Sequence, residues 1–372
     1  MMWKRVGVIG GGQLAQMMAI EANGLGIELI VQTPRADDPA ALLATEIVLG
    51  EHDDPRVTAE LAQLCDVITF ENEFVNLDAL SPLAKQGFVF SPSLNCLGLL
   101  LDKYDQRSML RALGLPVPEF SLYDRSQLTS FPLVIKARRH GYDGQGTYIV
   151  KDITGLSDLP PLSSVSHLVE EYVQYDRELA VIAARNGAGE IVIYPVVETH
   201  QKDQVCHWVI APASLKPDIE AQIHEIARQI LTSLEVIGVF GIEFFLTVEG
   251  RVLVNEIAPR THNSGHYTLD ACATSQFALQ LQAVTDLPLG SPALKCPGAV
   301  MVNLLGYESK TDDYLKARER LKAVPHAHVH WYGKNQARPG RKLGHVTVLT
   351  DTNDRAELVN IAQHLENIWY VP

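Results

Sequence analysis

The five cysteines of this 372-residue chain, Cys65, Cys96, Cys206, Cys272 and Cys296, are scattered and include no CxxC pair. An odd, dispersed set argues against a disulfide frame and for reduced thiols. No apolar run approaches the roughly 20 residues a membrane span requires. The opening MMWKRVGVIG has no apolar signal region with a small-residue cleavage site. Positive charge is in deficit: the formal net charge is −13, which argues against a general nucleic-acid binder. Internal repeats and low-complexity tracts are also missing. These absences lead us to expect a cytoplasmic protein with no membrane or nucleic-acid partner. Hydrophobic residues make up 47% and charged residues 20% of the chain, a globular composition. Its length favours two or three domains.

The first hundred residues alternate short apolar runs with helical spacing. VGVIG, IELIVQT, EIVLG and DVITFE read as strands, and Leu14, Met17 and Met18 recur on one face of a helix that Gly24 and Gly26 can stop. This is a parallel α/β pattern of Rossmann type. A helix is expected from Leu101 to Leu113. FPLVIK and TYIVKD then flank a glycine-rich stretch, and HLVEEYV and ELAVIAAR read as further strands. A helix over Asp218 to Leu234 precedes a hairpin, GVFGIEFFLTV and RVLVNEIAP, turning at Glu249-Gly250. MVNLLG, HVHWYGK and HVTVLT are strand-like beyond Pro297.

Gly10, Gly12 and Ala15 fit GxGxxA between a strand and a helix, a loop that turns backbone N–H groups toward an anion. A nicotinamide site is disfavoured, because the second strand ends in Gln32-Thr33 and lacks the acid that would hold a ribose. A substrate phosphate or polar group near Gln13 fits better, and a purely structural turn is the alternative. Lys136 stands at a strand end before Gly141, Gly144 and Gly146. No GK[ST] follows, so this is not a Walker loop. A glycine-rich loop between two strands reads as a flap over phosphates, or else as an ordinary hairpin loop.

With Glu249-Gly250 as a two-residue turn, Glu243 falls opposite Glu256 on one face. Two facing carboxylates repel unless a cation lies between them, and oxygen ligands favour Mg²⁺ shared with nucleotide phosphates. A register error of one residue would separate them. Arg260, His262, Asn263 and Ser264 follow at once and can neutralise or hydrogen-bond an anion. His326, His328 and His330 alternate along a strand. A metal site there is disfavoured, since His328 would sit between its neighbours without converging on a point. Lys334, Arg338, Arg341 and Lys342 surround a Pro339-Gly340 turn, which suits a phosphate clamp or a solvated basic loop.

GGGQL at the start, TFENE at 69–73, GYDGQG at 141–146, NEIAPRTHNSGH at 255–266 and RPGRKLGH at 338–345 together resemble the 5-(carboxyamino)imidazole ribonucleotide synthase family, ATP-grasp carboxylases of purine biosynthesis. The resemblance implies an α/β fold of ATP-grasp architecture: an N-terminal Rossmann-like parallel-sheet domain over 1–102, an ATP-grasp domain over 103–290 with a small lid at about 125–180, and a C-terminal α+β segment over 291–372. It implies that ATP activates bicarbonate as carboxyphosphate for attack by the amine of 5-aminoimidazole ribonucleotide, with Mg²⁺ (or Mn²⁺) as cofactor and a homodimer as the assembly.

Carried over by motif, Lys103, Lys136 and the loop Gly141, Tyr142, Asp143, Gly144, Gln145, Gly146 and Thr147 would hold ATP phosphates. Glu170, Glu171, Tyr172 and Val173 would line the adenine pocket, Glu178 would take the ribose, and Asn255 would join the nucleotide site. Glu243 and Glu256 would bind the metal. Arg260, His262, Asn263, Ser264 and Lys334 would be catalytic around bicarbonate. Gln13, Leu14, Glu71, Tyr142, Asp143, Lys334, Arg341 and Lys342 would face the ribonucleotide. Gln145 stands where similar sequences often carry Arg or Lys, Thr261 where Pro is usual, and Ala258 where other ATP-grasp enzymes have an Asn ligand. The formate-dependent glycinamide ribonucleotide transformylase shares the architecture, but HNSGH favours the carboxylase.

Overall fold

The computed structural model describes residues 4–141, 146–163, 165–334 and 336–370. The apolar runs near the start form a parallel sheet in the order Glu46–Leu49, Ile27–Thr33, Lys4–Ile9, Val67–Phe70. The helix Gln13–Leu25 covers it and ends at Gly26, whose φ of 66° gives the left-handed C-cap. Met17, Met18 and Ala22 of that helix pack with Phe277, Leu281 and Val284 of the distant helix Gln276–Val284. The N-terminal layer is thereby docked on the rest of the molecule.

The remainder is organised by a nine-stranded sheet. Along its path lie Val252–Ala258, Gly238–Thr247, Tyr175–Arg185, Val197–Lys202, Val205–Ala211, Gly298–Leu305, Lys342–Thr350 and Ala327–Trp331, with Ile191–Ile193 paired to the third of these. All its pairings are antiparallel. Helix Pro217–Ser233 buries Ile223, Ile226, Ala227 and Ile230 against one face, and Leu279 of helix Gln276–Val284 lies in the cluster on the other. The sheet runs without interruption past residue 290, because Val205–Ala211 pairs with Gly298–Leu305.

A smaller antiparallel sheet, Phe120–Leu122, His167–Glu171, Leu133–Ala137 and Thr147–Val150, carries the glycine-rich loop between its last two strands. Lys136 pairs with Thr147 at the mouth of that loop. Gly146, at φ 77°, has no room for a side chain, since a Cβ there would lie 2.8 Å from the Cβ of Ala137. Among the described residues no helix is long and apolar enough to cross a membrane, and all five cysteines are free.

Candidate active site

The hairpin Gly238–Thr247/Val252–Ala258 places the carboxylate pair, by a different route from the one the sequence suggests. The turn has three residues, Val248, Glu249 and Gly250, closed by Thr247 N–H donating to the Arg251 carbonyl at 2.9 Å. Gly250 takes the left-handed conformation, φ 83°, as such loops require. That displaces the pairing by one, so Phe244 faces Val254. A bulge at Asn255 then restores it, and Glu243 faces Glu256. Val252, Val254 and Ile257 stay in the core, while Asn255 and Glu256 both turn to the face of Glu243. Asn255 Nδ2 donates to Glu243 at 3.4 Å. A bulge re-aims side chains in this way.

Burial, then Glu256 and Glu178, push the Glu243 carboxyl up to about 8. Burial acts on Glu256 in the same direction, but Lys103, with its Nζ 2.6 Å from Glu256 Oε1, and Lys136 outweigh it and hold that carboxyl below its ordinary value. Glu178, on the neighbouring strand, is raised by burial.

Lys136 is itself fixed: its Nζ lies 2.7 Å from Glu170 Oε2 and 3.2 Å from Asn255 Oδ1. Glu170 is 3% exposed and also takes Arg107 Nε at 2.6 Å. Burial would raise the Glu170 carboxyl, but these two cations dominate and bring it to about 2. The Glu170 side chain thus anchors two cations. Glu171 accepts from Glu119 N–H at 3.2 Å, Tyr172 is exposed, and Val173 is half-buried. Lys103, Arg138, His140, Gly141, Glu73 and Glu256 line one cleft. Tyr142, Asp143, Gly144 and Gln145 lie outside the described residues.

The loop after the hairpin is held from three directions. Arg260 pairs through both Nε and Nη2 with Glu73 of TFENE. Burial opposes the Arg260 charge, but Glu73 outweighs it and raises the pKa. His262 Nδ1 meets Ser264 Oγ at 2.8 Å, and its Nε2 lies 3.6 Å from Glu243. Gln276 grips the His262 backbone at both N–H and carbonyl. Asn263 exchanges amide hydrogen bonds with Asn303 on Gly298–Leu305, at 2.9 and 2.7 Å, so part of its hydrogen-bonding capacity is spent internally.

The glycine loop at the start does not present a vacant anion cradle. Glu71 fills it: a Cβ on Gly10 would lie 2.8 Å from Glu71 Oε2, and Leu14 N–H donates to that carboxylate. Burial raises the Glu71 pKa, opposed by Arg260, His52 and Lys334. Gln13 opens the helix beside it. Gln32 and Thr33 are fully buried, with Gln32 bonded to Glu51 and Thr58, so that strand end is closed to a ribose.

Lys334 Nζ donates to the Lys342 carbonyl at 2.7 Å, and Lys342 is within electrostatic reach of Glu243. Arg341 is turned to the Gln336 carbonyl at 2.6 Å, and burial, then Arg338, lowers its pKa. The histidine trio needs correcting. His326 lies off the strand at φ 58°, whereas His328 and His330 do converge, both on Asp270, at 3.5 and 2.9 Å. Arg107, Glu73, Gln276, Asn303 and Asp270 were not among the expected site residues. Glu73 lay inside a recognised motif, but the other four carry no local signal, because their partners come from remote elements or another strand.

Three family models tile the chain: the ribonucleotide synthetase preATP-grasp domain over residues 2–98, the ATP-grasp domain over 108–277, and the phosphoribosylaminoimidazole carboxylase C-terminal domain over 299–358. A curated N5-carboxyaminoimidazole ribonucleotide synthase from Synechocystis sp. is 56% identical and covers 98% of each chain. The crystal structure of N5-carboxyaminoimidazole ribonucleotide synthetase from Thermotoga maritima matches with a TM-score of 0.89 at 39% identity, over 98% of each chain. The enzyme from Aspergillus clavatus, solved in complex with ADP and 5-aminoimidazole ribonucleotide, matches at TM-score 0.89 and 32% identity, again over 98% of each chain.

Proposed function

The chain belongs to the N5-carboxyaminoimidazole ribonucleotide synthase family, and we infer from this and from the site's geometry how its residues divide the work. The protein is an ATP-dependent ligase of purine biosynthesis that carboxylates 5-aminoimidazole ribonucleotide, forming a carbon–nitrogen bond. Bicarbonate is a poor electrophile until one oxygen becomes a phosphate leaving group. In our reading ATP transfers its γ-phosphoryl to bicarbonate, the exocyclic amine attacks the carboxyl carbon of carboxyphosphate, and inorganic phosphate leaves.

The observation that supports this division best is the Glu243/Glu256 pair beside Arg260 and His262. Burial, then the facing Glu256, raises the Glu243 carboxyl to about 8, and a cation held between the two would relieve that repulsion. The donor set, two carboxylates, is all oxygen and suits Mg²⁺, while the Asn255 amide bridges Glu243 and Lys136. When bound, Mg²⁺ would offset charge on the transferring phosphoryl group. Lys103 and Lys136 would hold phosphates, the second pre-oriented by Glu170 and Asn255, and Glu178 would take the ribose. Arg260, oriented by its two-point contact with Glu73, would lie at the bicarbonate pocket. His262, its backbone held by Gln276, and Ser264, bonded to the His262 ring, would complete that pocket. Carboxyphosphate is labile, so a loop closing over Lys136 and Thr147 would exclude water. Lys334, Arg341 and Lys342 would meet the ribonucleotide phosphate. The reading includes a homodimer in the cytoplasm, and equilibrium sedimentation tests the assembly.

ADP release is expected to require both 5-aminoimidazole ribonucleotide and bicarbonate. Turnover with glycinamide ribonucleotide and formate, and none with the imidazole, would favour the transformylase instead.

A further inference from the structure

A second group of ligating side chains lies outside the site described above. Asp270 comes from the short helix Thr268–Ala271, His330 from the strand Ala327–Trp331, and His345 from the strand Lys342–Thr350. One ligand atom from each lies within 4.8 Å of the other two. His330 Nε2 meets Asp270 Oδ2 at 2.9 Å, and the His330 and His345 rings stack with centroids 4.5 Å apart.

His345 is the informative member. It is fully buried, and its Nδ1 is pinned by the Tyr332 hydroxyl at 2.8 Å. Its Nε2 has no hydrogen-bond partner. A buried imidazole nitrogen without a partner is costly unless something occupies the space it faces. Burial keeps this imidazole neutral, with a pKa well below the ordinary value, and a cation facing Nε2 would select the tautomer whose Nδ1–H donates to the Tyr332 hydroxyl. A hydrogen bond at the other ring nitrogen usually accompanies a metal-binding histidine and orients its ring. His266, 5.1 Å away between ring centroids, does not qualify: Gln276 Nε2 donates to its Nδ1, which leaves the proton on its Nε2.

We propose that Asp270, His330 and His345 form a second metal site, for a divalent transition cation of the Zn²⁺ class, separate from the Glu243/Glu256 pair. One carboxylate oxygen and two imidazole nitrogens form a borderline-soft donor set that prefers Zn²⁺ or Co²⁺ to Mg²⁺. In a tetrahedral site ligand atoms stand about 3.3 Å apart, so binding requires the His330 ring to turn out of its stack on His345 until both lone pairs meet the ion, which then replaces the proton shared by His330 and Asp270. The His330 side chain is 31% exposed, which gives the ion access. The site would tie the segment after the His262 loop to the two C-terminal strands, one of which carries Lys342.

The test uses the full chain, stripped of metal with a chelator and titrated with Co²⁺, then back-titrated with Zn²⁺. One Co²⁺ per chain with the visible absorption of a tetrahedral nitrogen–oxygen site, displaced by Zn²⁺, is expected. It should persist in the Glu243→Gln/Glu256→Gln double variant. His330→Ala, half-exposed and tolerant of change, and Asp270→Asn should each weaken it at least ~10-fold, while their circular dichroism matches the parent. Absence of the absorption, its loss in the Glu243/Glu256 double variant, or unaltered affinity in His330→Ala would each overturn the proposal.

Discussion

Glu243 illustrates how much one side chain depends on its partner strand. Its carboxyl is raised by withdrawal from water and by Glu256 and Glu178, while Lys103 keeps Glu256 ionised. Replacing either acid with an amide removes a ligand and leaves phosphate charge uncompensated. Glu243→Gln and Glu256→Gln should each lower kcat by roughly 10²-fold or more at saturating Mg²⁺, with unchanged circular dichroism. Near-normal turnover in either would refute the pair's assignment. Arg341 is a case of the opposite kind, removed from the carboxylates and beside Arg338. A guanidinium contact to a remote phosphate is uniform binding. Arg341→Ala should therefore raise the KM for the ribonucleotide by about 10–100-fold and leave the KM for ATP nearly unaltered. The reverse split in steady-state kinetics would move Arg341 to the nucleotide.

At the scale of elements, Glu170 joins three of them: its own strand, the helix Lys103–Ala112 through Arg107, and the strand Leu133–Ala137 through Lys136. Its folded-state pKa, about 2, lies below that of a free glutamate at about 4.3. A depressed carboxyl contributes stability that is present above the unfolded value and is lost as pH falls through the folded one. Glu170→Gln should lower the melting temperature near neutrality, because it leaves two buried cations short of a counter-charge, a loss of about 3–5 kcal/mol. The gap from the parent should narrow as pH falls from about 4.5 toward 2. A gap independent of pH across that range would show that the ion pairs are not its source. The hairpin Val197–Lys202/Val205–Ala211 makes a different point. The two residues between its strands, Asp203 and Gln204, have φ of 52° and 62°, the positive pair a tight hairpin turn needs. Neither is the glycine that announces such a turn, and the flanking VETHQK is polar. The centre of the large sheet was therefore missed from the sequence, while the apolar strands on either side of it were read correctly.

Across the whole molecule, Gln280 is the link between layers. It is 2% exposed; its amide nitrogen donates to Thr69 in the parallel sheet at 2.7 Å, and its oxygen accepts from Val239 N–H in the large sheet at 2.6 Å. Gln280→Leu strands both partners. It should destabilise the protein by about 2–6 kcal/mol, at about 1–3 kcal/mol for each of the two unsatisfied groups, and lower the thermal midpoint. A midpoint within a degree or so of the parent would mean that apolar packing of Phe277 and Leu281 alone docks the N-terminal layer.

Local chemistry determined much by itself. Hydrophobic period distinguished strands from the helices Gln13–Leu25 and Pro217–Ser233, Gly26 ended the first of them, and five short motifs carried the family. Those signals act over a few residues, so they survive in a linear reading. Pairings between distant segments do not. The bulge at Asn255 that turns Asn255 and Glu256 to one face, the grip of Glu73 on Arg260, the occupation of the glycine loop by Glu71, and the meeting of Asp270 with His330 and His345 were decided only when the sheets closed. Each depends on a register or an approach between segments set by packing over the whole core, and a residue's neighbours in sequence carry no record of it.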